Sequence, residues 1–276
     1  MEIGMLVSFQ NGTELRREFQ KAAELGLSVC QLCCWDVSLH TDARAAQIRT
    51  AARETGMRVS ALWAGWDGPA EWNFQYGPAT LGLVPTAYRQ SRLEQLASAG
   101  RFAAALGVRD VITHVGFLPE NPSDPDFVGT VGALRRLAGE LRERDQRFLF
   151  ETGQETPTTL LRAIEAIGLD NVGVNLDTGN LVCYGKANPV DALDVLGRYV
   201  WNTHIKDCLY PTDGQNLGKE VPFGQGKANF PALVARLAAL GYPGPLIIER
   251  EIQGEQQTRD IVAARDGLRA ILGALD

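Results

Sequence analysis

Eight short apolar runs, each about as long as one buried strand, recur along the chain, and a longer segment with helical patterning follows each of them. The runs are EIGMLVSF, LSVCQLCCW, RVSALWAGW, RDVITHVGF, RFLFETGQ, VGVNLDTGN, YVWNTHIKD and PLIIEREI. Near-continuous apolar strands belong to sheets covered on both faces, and strands joined by helices pair in parallel. The pattern therefore predicts an α/β fold, a (β/α)8 TIM barrel forming a single domain over residues 1–276. That length suits one such barrel, and no composition shift or flexible linker divides it.

Start and stop signals locate several of the helices. Thr13 is positioned to cap ELRREFQKAAELG, which ends at Gly26; Pro157 and Thr158 open TTLLRAIEAIG, Pro189 opens VDALDVLG, and Pro231 lies in the first turn of ALVARLAALG. The segment QTRDIVAARDGLRAILGAL closes the chain. Two connections are longer than plain barrel turns: WAGWDGPAEWNFQYGPATLGLVP after the third strand, and CLYPTDGQNLGKEVPFGQGKAN after the seventh. Both leave the C-terminal ends of strands, where barrel enzymes keep their sites, so they are expected as pocket walls or lids.

Composition removes several classes of function. Net charge is −6, which implies no broad basic face for nucleic-acid phosphates. The opening MEIGMLVSFQ lacks the pattern of a secretion signal, and no run reaches the roughly 20 apolar residues of a membrane span, so a cytoplasmic protein without a membrane partner is expected. Five cysteines, without regular spacing, describe no disulfide framework. Cys30, Cys33 and Cys34 lie inside LSVCQLCCWD and are expected as small core residues.

Polar residues end the last four strands. The fifth run ends its apolar part at Glu151, the sixth at Asp177, the seventh at His204 and the eighth at Glu249. Carboxylates at the ends of buried strands are costly when unpaired, and three side by side repel one another. A divalent cation resolves both problems; the alternative is a salt-bridge network in which Glu249 pairs with Arg250 or Lys206. An oxygen-rich set with one imidazole suits Mn²⁺ or Mg²⁺ better than a thiolate-bound zinc. Of the three histidines, His40 reads as a surface or capping residue. His114, at the end of the fourth strand, is either a substrate contact or a core histidine. Lys206 and Asp207 follow His204 in HIKD and are expected to face the same mouth.

These motifs, FLFETG, VNLDTGN, THIKD, FGQGKANF and PLIIEREI, resemble the xylose isomerase-like superfamily of sugar isomerases and epimerases over nearly the whole chain. The resemblance to its ketose 3-epimerases implies one divalent ion held by Glu151, Asp177, His204 and Glu249, with Mn²⁺ first and Mg²⁺, Co²⁺ or Zn²⁺ as alternatives. It also implies that Glu151 and Glu249 form the acid/base pair for a metal-stabilised enediolate, giving epimerisation or aldose–ketose isomerisation. Two departures concern the substrate: Asn180 stands where those epimerases have a histidine, and Gln154 and Glu155 stand near their second substrate-contacting glutamate. The implied partner is a small carbohydrate: another sugar, a cyclitol or a keto-sugar derivative, with Trp63 and Trp66 placed to stack on it. A phosphorylated substrate stays open through Gly224 and Gly226. A lyase acting like inosose dehydratase, an endonuclease IV-like repair enzyme and a non-catalytic sugar-binding barrel are the other readings. Barrels of this kind frequently form dimers or tetramers.

Overall fold

All eight apolar runs become barrel strands in the computed structural model, which describes residues 1–275. The strands are β1 (Ile3–Phe9), β2 (Val29–Cys34), β3 (Arg58–Ala64), β4 (Asp110–Thr113), β5 (Arg147–Glu151), β6 (Val172–Asp177), β7 (Val200–Ile205), β8 (Asp207–Cys208), β9 (Glu220–Val221) and β10 (Leu246–Ile248). Strands β8 and β9 form a separate antiparallel ribbon within the long connection, so β10 is the eighth barrel strand. The barrel closes in the order β1-β10-β7-β6-β5-β4-β3-β2. The helices are α1 (Leu15–Glu24), α2 (Asp42–Thr55), α3 (Gly77–Thr80), α4 (Thr86–Leu106), α5 (Pro125–Arg142), α6 (Pro157–Ile167), α7 (Thr178–Cys183), α8 (Pro189–Leu196), α9 (Phe230–Ala239) and α10 (Glu255–Gly273). Of these, α3 and α7 are short additions at the C-terminal face.

Register sets the height of the side chains at the mouth. Asp177 pairs with His204, His204 with Ile247, and Glu151 with Asn175. Because alternate residues of a strand share one face, Asn175 and Asn202 lie one layer below Asp177 and His204 on the same side. The main apolar core fills the space between strands and helices. Inside the barrel a smaller cluster of Cys33, Ala61, Trp63, Ile112 and Leu149 packs the opposite wall.

Local chemistry explains most of the helix starts. Thr41, Asp124, Thr156 and Asn188 accept hydrogen bonds from first-turn amides, and Pro157, Pro189 and Pro231 occupy first turns. Thr13 does not cap α1: its hydroxyl accepts from the Gln10 amide at 3.0 Å, closing the turn after β1, and the helix starts behind Glu14 without a side-chain cap. The cysteines also depart from expectation. Cys30, Cys33 and Cys34 are free and buried, but Cys183 and Cys208 form a disulfide. The pair is illegible in the spacing because it joins α7 to β8, segments that follow neighbouring strands. Among the described residues, no helix is long and apolar enough to cross a membrane.

The connection after β3 is held in place by Arg92 of α4, which sequence reasoning did not single out. Its guanidinium is wholly buried and donates to the carbonyls of Asp67 (3.2 Å), Pro69 (2.8 Å), Thr80 (2.6 Å) and Gly82 (2.8 Å). It also lies 4.1 Å from the Trp66 ring centroid and 4.6 Å from that of Tyr88. Gly82, at φ +67°, brings this connection against the segment after β4, where a Cβ would meet the Val115 carbonyl oxygen at 2.0 Å. Replacing Arg92 by methionine keeps much of the bulk and strips four carbonyls of their donor. The expected loss is about 3 kcal/mol or more, read by chemical denaturation, with limited proteolysis cutting first within residues 65–85. Cleavage and stability matching the wild type would show that the connection is held by other contacts.

Candidate metal centre

Glu151 ends β5, Asp177 ends β6, His204 stands one residue before the end of β7, and Glu249 follows β10 directly. The first three are buried almost completely and Glu249 is half-buried. One ligand atom from each lies within 4.8 Å of all the others, so the four can hold a metal ion together. His204 Nδ1 is 2.8 Å from Glu151 Oε1, 3.2 Å from Glu249 Oε2 and 3.6 Å from Asp177 Oδ2.

Each ligand is aimed by a bond made on its other side. Asp177 is also the N-cap of α7: its Oδ1 accepts from the Asn180 amide at 2.7 Å, leaving Oδ2 for the cluster. Thr152 grips the Asp177 backbone, accepting from its N–H at 2.8 Å and donating to its carbonyl at 2.9 Å. Asn175 donates to Glu151 Oε2, leaving Oε1 toward His204. His204 Nε2 meets Gln31 Oε1 at 2.7 Å, so Nε2 carries the hydrogen and Nδ1 faces the carboxylates. His204 Nδ1 is buried without a hydrogen bond, and Asp177 Oδ2 has only the Lys206 ammonium beside it. A buried imidazole nitrogen without a partner, converging with three carboxylates, fits a hard divalent cation.

Lys206 supplies the one ammonium in this cluster. Its Nζ is 2.9 Å from Asp177, from Glu249 and from Glu251. Burial alone would lower the Lys206 pKa, but these three carboxylates raise it well above the ordinary value. Burial pushes Glu151 up to about 7, only partly opposed by His204. Asp177 is held at about 2, because Lys206 and His204 outweigh its burial. The carboxylates in turn raise His204 well above its ordinary range, against burial. Glu151, Asp177, Glu249 and Glu251 together outnumber Lys206 and a charged His204, which is the electrostatic case for a further cation.

Above the cluster opens a cavity of about 400 Å³, lined by the aromatic Trp35, Trp63, Trp72 and Tyr184 together with the acidic Glu220, Glu249 and Glu251. Of the expected substrate contacts, Trp63, His114, Asn180 and Lys206 line it. His114 is neutral, pushed down to about 3 by burial and by Lys206, and its Nδ1 donates to Gln154 Oε1 at 3.1 Å. Gln154 thus supports His114 from behind and is not part of the lining.

Three expectations are corrected. Trp66 is buried beneath Arg92, outside the cavity, and the exposed face of the aromatic wall comes from Trp35 and Trp72. Asp207 turns away from the mouth, because its carboxylate accepts from the amides of Gly226 (2.8 Å), Ala228 (3.1 Å) and Cys208 (3.0 Å). That bonding also fills the backbone cradle of FGQGKANF with a carboxylate, closing it to phosphate. Glu155 is buried away from the cavity, with neither oxygen in a well-formed hydrogen bond. Gln31, Asn175 and Asn202 were not anticipated. Their only signal is a polar residue in the middle of VCQLCC, VGVNLD and VWNTHI, strands otherwise apolar.

The family described as Xylose isomerase-like TIM barrel matches residues 19–271. A xylose isomerase domain protein from Planctomyces limnophilus is 32% identical, with a TM-score of 0.91 over 98% of this chain and 96% of its own. A xylose isomerase-like TIM barrel protein from Mycobacterium smegmatis, solved in complex with magnesium, is 17% identical, with a TM-score of 0.73 over 99% and 97%. A D-psicose 3-epimerase solved in the presence of D-fructose is 18% identical, with a TM-score of 0.71 over 99% and 100%. The last two likenesses concern the fold alone. Among curated proteins, no match is found.

Glu155 yields a test of the electrostatics. Burial raises its carboxyl from 4.5 to about 8. A folded-state pKa above the unfolded one means that its contribution to stability is full below pH 4.5 and is lost as pH climbs toward 8. Across that window the Glu155→Gln variant should gain on the wild type by roughly 1 kcal/mol for each pH unit, measured by denaturant unfolding at pH 5 and pH 8. A stability difference that does not move with pH would mean that Glu155 titrates normally.

Proposed function

The chain belongs to the xylose isomerase-like TIM barrel family, and from that premise we propose that it is a divalent-metal-dependent epimerase or isomerase acting on a free, uncharged keto-sugar. The observation that carries this reading is the buried convergence of Glu151, Asp177, His204 and Glu249, with His204 Nδ1 left without a hydrogen bond. Glu151, Asp177, His204 and Glu249 would hold the ion, with Mn²⁺ first and Mg²⁺ next. When bound, such an ion supplies the positive charge that makes the proton beside a carbonyl acidic.

The remaining chemistry falls to the chain itself. Glu151 and Glu249 approach from strands separated by β6 and β7 in the barrel. One carboxylate takes the proton from the carbon beside the carbonyl, and the other, in its protonated form, returns one from the opposite face. The carbon inverts and net charge is unchanged. Return of the proton to the neighbouring carbon gives isomerisation by the same residues. His114 and Asn180, facing the cavity, are suited to hold sugar hydroxyls, and the Trp35, Trp63 and Trp72 wall suits the C–H face of a sugar ring.

An uncharged substrate follows from the cations, all of which are spent. Among the described residues, Lys206 is the only lysine or arginine lining the cavity, and it is already shared by three carboxylates. Arg250 pairs with Glu220 at 3.0 Å and Asp260 at 2.8 Å. A phosphate would enter against Glu220, Glu249 and Glu251 with no free cation to receive it.

The test is incubation of the protein with Mn²⁺ in D₂O and a panel of free keto-sugars and their phosphate esters, followed by proton NMR. The expected result is Mn²⁺-dependent loss of the C–H signal beside the carbonyl for free sugars. Glu151→Gln and Glu249→Gln should each slow that exchange by about 10³-fold. Full turnover in both variants would eliminate the acid/base pair. A dehydrated product would replace epimerisation with elimination.

A further inference from the structure

The geometry points to Gln31 as a positioning residue that presents His204 to the metal ion through Nδ1, the inference resting on the metal reading of the site. Gln31 sits in the middle of β2, across the barrel from β6, and its side chain is wholly buried. It is joined to β6 and β7 by three hydrogen bonds. Its Nε2 donates to Asn175 Oδ1 at 3.0 Å and to Asn202 Oδ1 at 2.8 Å, and its Oε1 meets His204 Nε2 at 2.7 Å.

The direction of this network leaves no freedom in any amide. A ligating Glu151 is an acceptor only, so the Asn175 group that meets Glu151 Oε2 is its NH₂. Asn175 Oδ1 must then point at Gln31, which turns the NH₂ of Gln31 toward Asn175 and Asn202. Asn202 Oδ1 is oriented in the same sense by accepting from the Thr203 amide at 3.2 Å. Gln31 is left with its carbonyl oxygen toward His204, and that oxygen can only accept. His204 therefore holds its hydrogen on Nε2 and offers the Nδ1 lone pair, 2.8 Å from Glu151 Oε1, where the network began. The ring of bonds couples two ligands, so the carboxylate of β5 and the imidazole of β7 are oriented by one relay. The other tautomer would set the lone pair of Nε2 against the lone pairs of Gln31 Oε1 inside a buried layer, with no water to separate them. Partners of this kind, on the far nitrogen of a ligating histidine, change metal affinity by about 10–100-fold when removed.

Two substitutions separate this role from packing. Gln31→Met keeps the length and removes the acceptor; Gln31→Glu keeps an acceptor for Nε2–H and removes the donors to Asn175 and Asn202. Metal-free protein is titrated with Mn²⁺ by calorimetry, and the imidazole of His204 is observed by ¹H–¹⁵N NMR in the protein loaded with diamagnetic Zn²⁺. Wild type should show a slowly exchanging Nε2–H and a ligated Nδ1. Gln31→Met should bind Mn²⁺ about 10–100-fold more weakly and lose the protected Nε2–H, whereas Gln31→Glu, which breaks the bonds to Asn175 and Asn202 but keeps the acceptor, should retain the Nε2–H signal. Gln31→Met with wild-type affinity, or Gln31→Glu without a protected Nε2–H, overturns the role of Gln31. If Gln31→Met does not fold, the wild-type spectrum decides, since an unprotonated Nε2 refutes the relay outright. Wild-type protein that binds no Mn²⁺ overturns the metal reading itself, and this inference with it.

Discussion

Three carboxylates, an imidazole and an ammonium share a few ångströms of buried space at the mouth of the barrel, and the cost of removing charge from water governs how the surrounding structure is arranged. Each of these groups would be unfavourable there alone. Together they are tolerable because Lys206 meets Asp177, Glu249 and Glu251, and because the spare oxygens of Asp177 and Glu151 are bonded to the Asn180 amide and the Asn175 side chain. What remains unmatched is His204 Nδ1, buried among three carboxylates that could hold a metal ion with it. Stability and chemistry thus make the same demand on these residues.

The layers beneath and around this cluster serve its geometry. Below it, Gln31, Asn175 and Asn202 form a polar floor inside a barrel otherwise packed with apolar side chains, and their hydrogen bonds fix which atoms point up. Around it, the long connections are anchored rather than loose. Arg92 organises the one after β3 through backbone carbonyls and aromatic faces, Asp207 binds the amides of the one after β7, and the Cys183–Cys208 bridge joins the two segments that follow β6 and β7. The resulting cavity is lined by aromatic and acidic side chains together.

Much of this arrangement is legible in the order of the amino acids. Parallel strands buried on both faces have no alternation to hide, so all eight are visible as apolar runs, and their regular alternation with helices specifies the barrel. Glu151, Asp177, His204 and Glu249 are visible because a charge that ends an apolar strand is conspicuous and needs a reason. His114, Asn180, Lys206 and Trp63, each close to a strand end, are carried to the mouth by the same rule. The rule misleads at Asp207, which lies just past a strand end yet turns its carboxylate onto loop amides, and at Trp66, whose ring is taken by Arg92.

The sequence by itself determined the class of fold and the four converging strand-end side chains, because hydrophobic period and strand-end polarity are local properties written in consecutive residues. Tertiary structure alone decided that Gln31 meets Asn175 and Asn202, residues 144 and 171 positions away, that Cys183 pairs with Cys208, and that Trp35 joins the aromatic wall. Those choices depend on barrel closure and register, which bring distant strands into contact at a defined height. A lone glutamine within an apolar strand reveals a polar need, but only the closed barrel supplies the partners that satisfy it.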